Sequence, residues 1–261
     1  MKLLAAGATN VGMKRTHNED CLVQVPEENL FVVADGMGGH ACGEVASQIA
    51  VGTVAEFFKS TSEDQEITWP YKERRGLQFE ENRLATGIKL ANRQIFETAQ
   101  TDARKRGMGT TIVAALFSSE GIYTGHCGDS RAYRFRDGQI EQITEDHSLL
   151  NDYLKNHTLT PDEIENFPHK NVIVRALGMK DQVEVDVNRM EPSPGDLYML
   201  CTDGLSGMIK DEDMNDMVQA YLNDVEKAND VEGMCHALID QANENGGTDN
   251  ITVVCVKVLA D

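Results

Sequence analysis

Five aspartates of this chain stand at the ends of expected β-strands or in glycine-rich turns, rather than on the polar faces of helices. Strands that share a sheet can bring their ends to one edge, where rigid backbone holds the carboxylates in place. Glycine at such a position leaves room for an ion or a phosphate. The aspartates are Asp20, Asp35, Asp129, Asp203 and Asp249, and Glu19 joins them because it precedes Asp20.

Carboxylates gathered in one place repel one another, so such a cluster requires either raised pKa values or a bound cation. A cation is the better explanation. Oxygen ligands without Cys or His at metal-binding spacing favour hard ions such as Mg²⁺ or Mn²⁺. In a site with two metals about 3.5–4 Å apart, one carboxylate bridges and a shared water becomes the nucleophile of a hydrolase. The cations would admit a dianionic phosphate, which Arg15 could grip by two oxygens.

Each of these residues also has a plainer structural interpretation. An Asp-Gly pair is most often only a turn, so the prediction depends on the whole set of aspartates. Arg15 taken alone is more often the partner in a surface ion pair. His40 is a candidate acid for the leaving oxygen because imidazole titrates near neutrality, although a single loop histidine more commonly only forms hydrogen bonds.

Hydrophobic periodicity predicts an α+β chain. Amphipathic helices are expected over 43–58 and about 78–106, with two more within 211–245. Short apolar runs bounded by turn residues predict strands at 1–7, 30–34, 110–117, 121–127, 131–136, 139–143, 183–190, 196–202 and 250–259.

The order of these elements favours one domain over residues 1–261, in which helices cover antiparallel sheets. The four strands between 110 and 143 are expected to form an antiparallel meander, and those at 183–190 and 196–202 a further pair. No repeat and no low-complexity linker marks a second domain.

The charge balance excludes two classes of partner. The chain has 24 Lys and Arg against 43 Asp and Glu, a net charge of −19. Nucleic acid and anionic membranes both require a basic surface, so neither is expected as a partner. The longest run without a charged residue, 107–119, is shorter than the about 20 residues that span a bilayer. Six cysteines without a C-x-x-C pair are typical of reduced thiols in a cytoplasmic protein.

An irregular segment at about 150–171 separates the two halves of the chain. Thr160 and Glu163 have the spacing of a capping box, with Pro161 at the first helical position, so a short helix is expected to begin there and to end before Pro168. The segment is either an ordinary surface excursion or a mobile lid near the site.

Eight short motifs follow one another along nearly the whole chain. They are Gly12 with Arg15-x-x-Asn18-Glu19-Asp20, Val33-Ala34-Asp35-Gly36-Met37-Gly38-Gly39-His40, Met108-Gly109-Thr110-Thr111, Gly128-Asp129-Ser130-Arg131, Thr144-Glu145-Asp146-His147-Ser148, Arg175-Ala176-Leu177-Gly178, Thr202-Asp203-Gly204-Leu205 and Gly247-Thr248-Asp249-Asn250-Ile251-Thr252. In this order they resemble the metal-dependent PPM-type protein serine/threonine phosphatases, also called the protein phosphatase 2C family. The compact length and the form of the second motif are similar to its bacterial single-domain branch.

The resemblance implies a four-layer αββα fold, in which helix pairs flank a β-sandwich of two antiparallel sheets with a dinuclear Mg²⁺ or Mn²⁺ centre at one edge. By family analogy, Asp35 bridges the two metals and the carbonyl of Gly36 ligates one of them. Asp203 and Asp249 ligate the other.

The same analogy assigns the remaining candidates. Glu19 and Asp20 hold metal-bound waters or the metal directly, and Arg15 binds the substrate phosphate. Asp129 helps to form a weaker third metal site, while His40 stays a candidate leaving-group acid. The segment at about 150–171 corresponds to the family's flap, which implies a mobile lid with a role in substrate choice.

The resemblance therefore implies a cytoplasmic enzyme, expected to be a monomer, that hydrolyses phosphoserine and phosphothreonine on targets of a Ser/Thr protein kinase, by direct attack of a metal-bridging water. Two rivals stay open: a metal-binding regulatory scaffold with little activity, and a two-metal hydrolase acting on nucleotide phosphates. The intact Asp35, Asp203 and Asp249 argue against the scaffold. The −19 charge and the missing basic groove argue against the nucleotide hydrolase.

Overall fold

The computed structural model describes residues 1–38, 42–62, 70–72, 74–169 and 172–260. Within these residues the strands are β1 (Lys2–Asn10), β2 (Asp20–Val25), β3 (Leu30–Met37), β4 (Gly109–Thr110), β5 (Ile112–Ser118), β6 (Gly121–Cys127), β7 (Arg131–Arg136), β8 (Gln139–Gln142), β9 (Asp186–Met190), β10 (Leu197–Cys201) and β11 (Ile251–Leu259). Most lie where apolar runs predicted them. Strand β2 was not predicted, because its sequence mixes polar and apolar residues.

The predicted helices are also present. The described α-helices are α1 (Cys42–Thr61), α2 (Phe79–Thr101), α3 (Leu149–Leu154), α4 (Pro161–Glu165), α5 (Asp203–Ser206), α6 (Asp211–Leu222) and α7 (Val231–Glu244). Helix α4 begins with the predicted capping box, in which the backbone N–H of Thr160 donates to the Glu163 carboxylate at 2.8 Å. Helix α2 ends five residues before the expected boundary at 106, and a 3-10 turn at Ala103–Lys105 follows it. None of the described helices is long and apolar enough to cross a membrane.

The strands form two antiparallel sheets, ordered β1-β11-β10-β7-β8 and β2-β3-β5-β6-β9, with β4 paired to β3. The predicted meander was wrong in its pairing, because β5 and β6 lie in one sheet while β7 and β8 lie in the other. The chain crosses between the sheets at Gly128, whose φ of +114° is open to glycine and strained for other residues. The predicted pairing of the strands near 183–190 and 196–202 was also wrong, since β9 pairs with β6 and β10 lies between β11 and β7.

Alternating side chains of the central strands enter two different cores. On β3, Phe31 and Val33 point between the sheets, whereas Val32 points toward α1 and α2. Between the sheets, Phe117 makes edge-to-face contacts with Phe31 at 5.6 Å and with Tyr198 of the opposite sheet at 5.4 Å between ring centroids. The two sheets are thus joined by a packed apolar layer.

Helices cover the outer face of each sheet. Helices α1 and α2 pack on the sheet that contains β3, and α6 and α7 pack on the sheet that contains β11. The expected αββα layering is therefore confirmed. It directs the start of β2 and the ends of β3 and β10 toward one edge of the sandwich, where the aspartates of the motifs lie.

Candidate metal centre

The hairpin of β2 and β3 brings the first two aspartates together. Asp20 and Asp35 are direct partners in the antiparallel register of these strands. Side chains of such partners lie on the same face with Cβ atoms about 4.5–5.5 Å apart. The backbone of Asp35 is held on its other side by the neighbouring strand, since Thr110 Oγ1 donates to its carbonyl at 2.7 Å and its N–H donates to Thr111 Oγ1 at 3.1 Å.

The paired strands β10 and β11 supply the other two ligands that the resemblance implies. Asp203 follows β10 directly, and Asp249 comes two residues before β11. Gly204 permits this approach, because a Cβ at that position would lie 1.8 Å from the carbonyl oxygen of Asn250. The three carboxylates of Asp35, Asp203 and Asp249 line one cavity of about 470 Å³.

Glu19 and Gly36 line the same cavity. The N–H of Gly36 donates to the carbonyl of Glu19 at 3.2 Å, which continues the hairpin to the cavity edge. A Cβ on Gly36 would lie 2.1 Å from the carbonyl oxygen of Gly43 at the start of α1, so only glycine allows the strand and the helix to meet here. His40, the candidate leaving-group acid, lies outside the described residues.

Burial, and then mutual repulsion, raises the pKa values of these carboxylates. Burial, and then repulsion by Asp20 and Asp203, holds the pKa of Asp35 well above its usual range. Burial, followed by repulsion from Asp249, also raises the pKa of Asp203. Burial raises the pKa of Asp20 to about 7, although hydrogen bonds from Thr252 and Thr202 act in the opposite direction.

Several carboxylate oxygens in this region are buried and receive no hydrogen bond from any described residue. They are Oδ1 of Asp20, Oδ1 of Asp129 and Oδ1 of Asp203. A buried carboxylate oxygen without a donor is costly, and mutual repulsion adds to the cost. Oxygen ligands of this kind suit hard divalent cations. The residues present therefore fit the two Mg²⁺ or Mn²⁺ ions that the sequence predicts.

Arg15 lies at the mouth of the cavity and pairs with one of the expected ligands. Its Nη2 is 2.6 Å from Oδ2 of Asp249, and half of the Arg15 side chain is exposed. The hydrogen bond with Asp249 raises the pKa of Arg15. The sequence analysis gave a surface ion pair as the plainer alternative for Arg15. Such an ion pair is formed, and both of its partners line the cavity.

Asp129 lies on the far side of Asp203. A second cavity of about 350 Å³ is lined by Asp129, Asp146 and Asp203, so Asp203 faces both cavities. Burial, and then repulsion by Asp203 and Asp146, raises the pKa of Asp129 to about 7. This geometry is compatible with the third metal site that the resemblance implies.

Sequence reasoning missed the polar residues that hold these carboxylates in position. Asn250 is buried, and its Oδ1 accepts a hydrogen bond from the N–H of Glu19 at 2.8 Å. Its Nδ2 donates to the carbonyls of Val11 and His17, both at 2.9 Å, so this side chain fastens the 11–19 loop to the start of β11. The only available signal was that Asn250 stands inside one of the motifs.

Two threonines play a similar part for Asp20. Thr202 Oγ1 and Thr252 Oγ1 donate to Asp20 Oδ2 at 2.9 and 2.7 Å, which leaves Oδ1 free to face a cation. Both are buried at the ends of strands from the opposite sheet. They join the two halves of the sandwich at the site.

The base of the segment at about 150–171 reaches the cavity. The N–H of Leu149 donates to the carbonyl of Val172 at 2.8 Å, and the N–H of Val174 donates to the carbonyl of His147 at 2.9 Å. Ile173, between these contacts, lines the metal cavity. Residues 170 and 171 of this segment lie outside the described residues.

A histidine cluster lies beneath that base. Ligand atoms of His126, His147 and Asp186 lie within 4.8 Å of one another. The N–H of Gly128 donates to Nδ1 of His147 at 3.0 Å, and Nε2 of the same ring lies 3.2 Å from Asp186 Oδ2 and 2.9 Å from Arg175 Nη1. Both ring nitrogens of His147 are thus engaged by protein groups, which indicates a clamp that connects the Asp129 loop to the base of the segment.

The chain matches known proteins over most of its length. The family model described as Protein phosphatase 2C matches residues 13–241. The serine/threonine phosphatase stp of Listeria welshimeri is 35% identical over 256 residues, which are 95% of this chain and 93% of that protein.

Solved structures give the same result. The crystal structure of the Mycobacterium tuberculosis serine/threonine phosphatase PstP/Ppp superposes with a TM-score of 0.83 at 32% identity and covers 99% of both chains. The catalytic domain of the phosphatase PstP in complex with two manganese ions superposes with a TM-score of 0.78 at 31% identity, again over 99% of both chains. Because the sequence and structural matches extend over nearly the whole chain, this protein belongs to the protein phosphatase 2C family of metal-dependent serine/threonine phosphatases.

Proposed function

We propose that this protein removes phosphate from phosphoserine and phosphothreonine side chains of other proteins, using two Mg²⁺ or Mn²⁺ ions held by Asp35, Asp203 and Asp249. The observation that carries the proposal is the convergence of these carboxylates on one cavity, beside buried carboxylate oxygens that no described residue satisfies. The related structure with two manganese ions supports the choice of metal.

The position of each side chain suggests its role. Asp35 is the register partner of Asp20 and is close enough to Asp203 for repulsion to raise its pKa, so it would be the ligand shared by both ions. The carbonyl of Gly36 would hold one ion, and Asp203 and Asp249 would hold the other. Such cations would supply a water of lowered pKa as the nucleophile near neutral pH and would offset the charge of the phosphate.

The remaining candidates act around this core. Glu19 and Asp20 would hold water at the metal centre or bind an ion directly, with Asp20 fixed by its two threonine donors. Arg15 moves from Asp249 to two oxygens of the phosphate when substrate enters, because a half-exposed guanidinium exchanges partners readily. Asp129 contributes to a third, weaker site, and His40 protonates the leaving oxygen.

We further propose a single phosphatase domain over residues 1–261 that acts as a monomer in the cytoplasm on targets of a Ser/Thr protein kinase. Buried thiols at Cys127, Cys201 and Cys235 support a reducing compartment. The segment at about 150–171 is proposed to act as a flap beside the cavity, because Ile173 at its base lines the site.

The direct test is phosphate release from a phosphothreonine peptide with Mn²⁺, with and without a chelator, and from ATP as the competing substrate class. We expect release from the peptide that the chelator abolishes, and at least about tenfold lower kcat/KM for ATP. Metal binding without release from any phosphopeptide would favour the regulatory scaffold. Preferred hydrolysis of ATP would favour the nucleotide hydrolase.

A further inference from the structure

A groove of about 440 Å³ continues from the metal cavity along the base of the flap segment. Met37 and Ile173 line both spaces, so they are neighbours rather than separate sites. Val174, Met179 and Lys180 form much of the remaining wall.

The groove wall includes two exposed apolar side chains, and a third lies next to it in the chain. Val174 and Met179 of the wall are 44% and 55% exposed, and Val172, two residues before Val174, is 45% exposed. Clustered exposed hydrophobic side chains usually mark an interaction site, whereas single ones need no explanation. These three side chains therefore indicate an interaction site beside the metal cavity.

The wall is built on fixed backbone. The N–H of Val174 donates to the carbonyl of His147 at 2.9 Å, and Arg175 donates to Asp186 at 2.8 Å. Met179 packs on Gly109, where a Cβ would lie 3.2 Å from its sulfur. The exposed side chains are therefore held in place before any ligand arrives, which lowers the entropic cost of binding.

We propose that this groove binds the substrate polypeptide itself, and that it takes an apolar side chain two or three residues from the phosphorylated residue. This inference rests on the proposed phosphatase function. Met37 follows Asp35 by two residues on β3, a distance of about 7 Å at the usual rise of a strand. An extended peptide has a similar rise, so its second or third residue reaches the groove when its phosphate lies at Asp35.

The charges at the groove suit the same occupant. Lys180 and Glu184 bring both signs to its rim, and Arg175, which pairs with Asp186, lies in its wall, although the whole chain carries a net charge of −19. The polypeptide on either side of the phosphorylated residue therefore meets less repulsion along this groove than an anionic phosphopeptide would meet over the acidic remainder of the surface.

The test uses capped phosphothreonine peptides with Mn²⁺, in which a single leucine is moved through each position on both sides of the phosphothreonine in a serine background. For the unmodified enzyme we expect one position, two or three residues away on one side, to raise kcat/KM about tenfold over the all-serine peptide. Hydrolysis of every peptide at the same rate would overturn the groove proposal and leave the phosphatase assignment intact. If the enzyme released phosphate from none of the peptides, both the groove proposal and the proposed phosphatase function would be overturned.

Substitutions assign the preference to the groove. Val174→Asp and, as a milder change, Met179→Gln should reduce the leucine-to-serine ratio to near one. Val225→Asp provides a matched control, because Val225 is 96% exposed and lies between α6 and α7. It should keep the full ratio. A leucine-to-serine ratio that is unchanged in both groove variants would contradict the proposal. The proposal would also be contradicted if the unmodified protein formed a dimer that Val174→Asp dissociates without altering the ratio, since the groove would then bind a second copy of this chain.

Discussion

Asp35 lies in surroundings that are unfavourable for a carboxylate without a cation. It faces Asp20 across the hairpin, and burial together with repulsion holds its pKa well above the usual range. An arrangement that costs stability in this way is typical of a functional site. We therefore propose that the acidic residues of the motifs serve to bind cations rather than to stabilise the fold.

Asp35→Asn should reduce the rate of phosphate release by more than about 100-fold. Substitution of residues that only hydrogen-bond to metal ligands typically lowers activity by about 10–100-fold, and loss of a shared ligand should have a larger effect. In a chelator, the melting temperature of this variant should stay the same or rise, since one repelling carboxylate has been removed. The comparison is with Asp216→Asn on the exposed face of α6, which should change neither quantity. Full activity in Asp35→Asn would contradict its role.

Arg15→Ala should separate phosphate binding from metal binding. We expect KM for a phosphopeptide to rise about tenfold, in keeping with the loss of a charge-assisted hydrogen bond. Affinity for Mn²⁺ should stay equal or increase, because Asp249 loses the cation that lies 2.6 Å away in the free protein. Titrations with Mn²⁺ and steady-state kinetics on one preparation distinguish the two effects. Equal losses in both would show that Arg15 serves the metals instead.

At the scale of single residues, the sequence indicates which side chains are candidate metal ligands, but it does not indicate the polar side chains that hold them in position. The aspartates could be proposed as candidates because each stands in a motif at the end of an expected strand or in a glycine-rich turn. The role of Asn250 could not, since its hydrogen bonds go to Val11, His17 and Glu19, more than 200 positions away in the chain. The sequence also does not predict the ion pair between Arg15 and Asp249, because the two residues are 234 positions apart in the chain.

Among the elements, the base of the flap segment depends on one carboxylate of β9. Asp186 accepts hydrogen bonds from His147 and from Arg175, which connects the Asp129 loop to the groove wall. The hydrogen bond from His147 is the largest of the effects that lower the pKa of Asp186. The carboxylate therefore stabilises the fold when it is ionised.

Asp186→Asn should lower the melting temperature by about 2–4 °C at pH 7, which corresponds to about 1 kcal/mol in a chain of this size. The sign of the pH dependence follows from the lowered pKa. The stabilisation is complete above the unfolded pKa, about 4, and is lost as the pH falls through the lower folded pKa. In melting curves recorded from pH 7 to pH 3, the difference between the two proteins should therefore be constant above about pH 5 and should begin to narrow below about pH 4. A constant difference at all pH values would mean that the charge of Asp186 is irrelevant.

The elements themselves were predicted better than their pairing. Helix α4 was predicted because Thr160 and Glu163 form a local capping box. The division of strands between sheets was not, because β5 and β10 are buried on both faces and so lack the alternation that would assign one face to a core. The crossing at Gly128 looks the same in the sequence as a hairpin turn.

For the whole molecule, the metal-free protein should be less stable in neutral solution than in mild acid. The pKa values of Asp20 and Asp129 are raised to about 7, so the folded chain binds more protons than the unfolded chain between about pH 4 and pH 7. Stability then falls as the pH rises through this window. With a chelator present, urea unfolding should show a lower free energy of unfolding at pH 8 than at pH 5.5.

Saturating Mn²⁺ should reverse that dependence, because the ions bind the ionised carboxylates and not the protonated ones. The difference between the metal-loaded and metal-free curves isolates the cluster from the other titrating groups, which are common to both. A metal-free protein that gains stability from pH 5.5 to pH 8 would contradict the repulsion attributed to these aspartates.

The central claim is that Asp35, Asp203 and Asp249 hold two divalent cations without which no phosphate is released. A calorimetric titration of the chelator-stripped protein with Mn²⁺, paired with phosphate release from a phosphothreonine peptide at each point, tests it most directly. We predict about two strongly bound ions per chain and release that appears only as the second site fills. Full release from the stripped protein, or unchanged binding of both ions by Asp35→Asn, would contradict it.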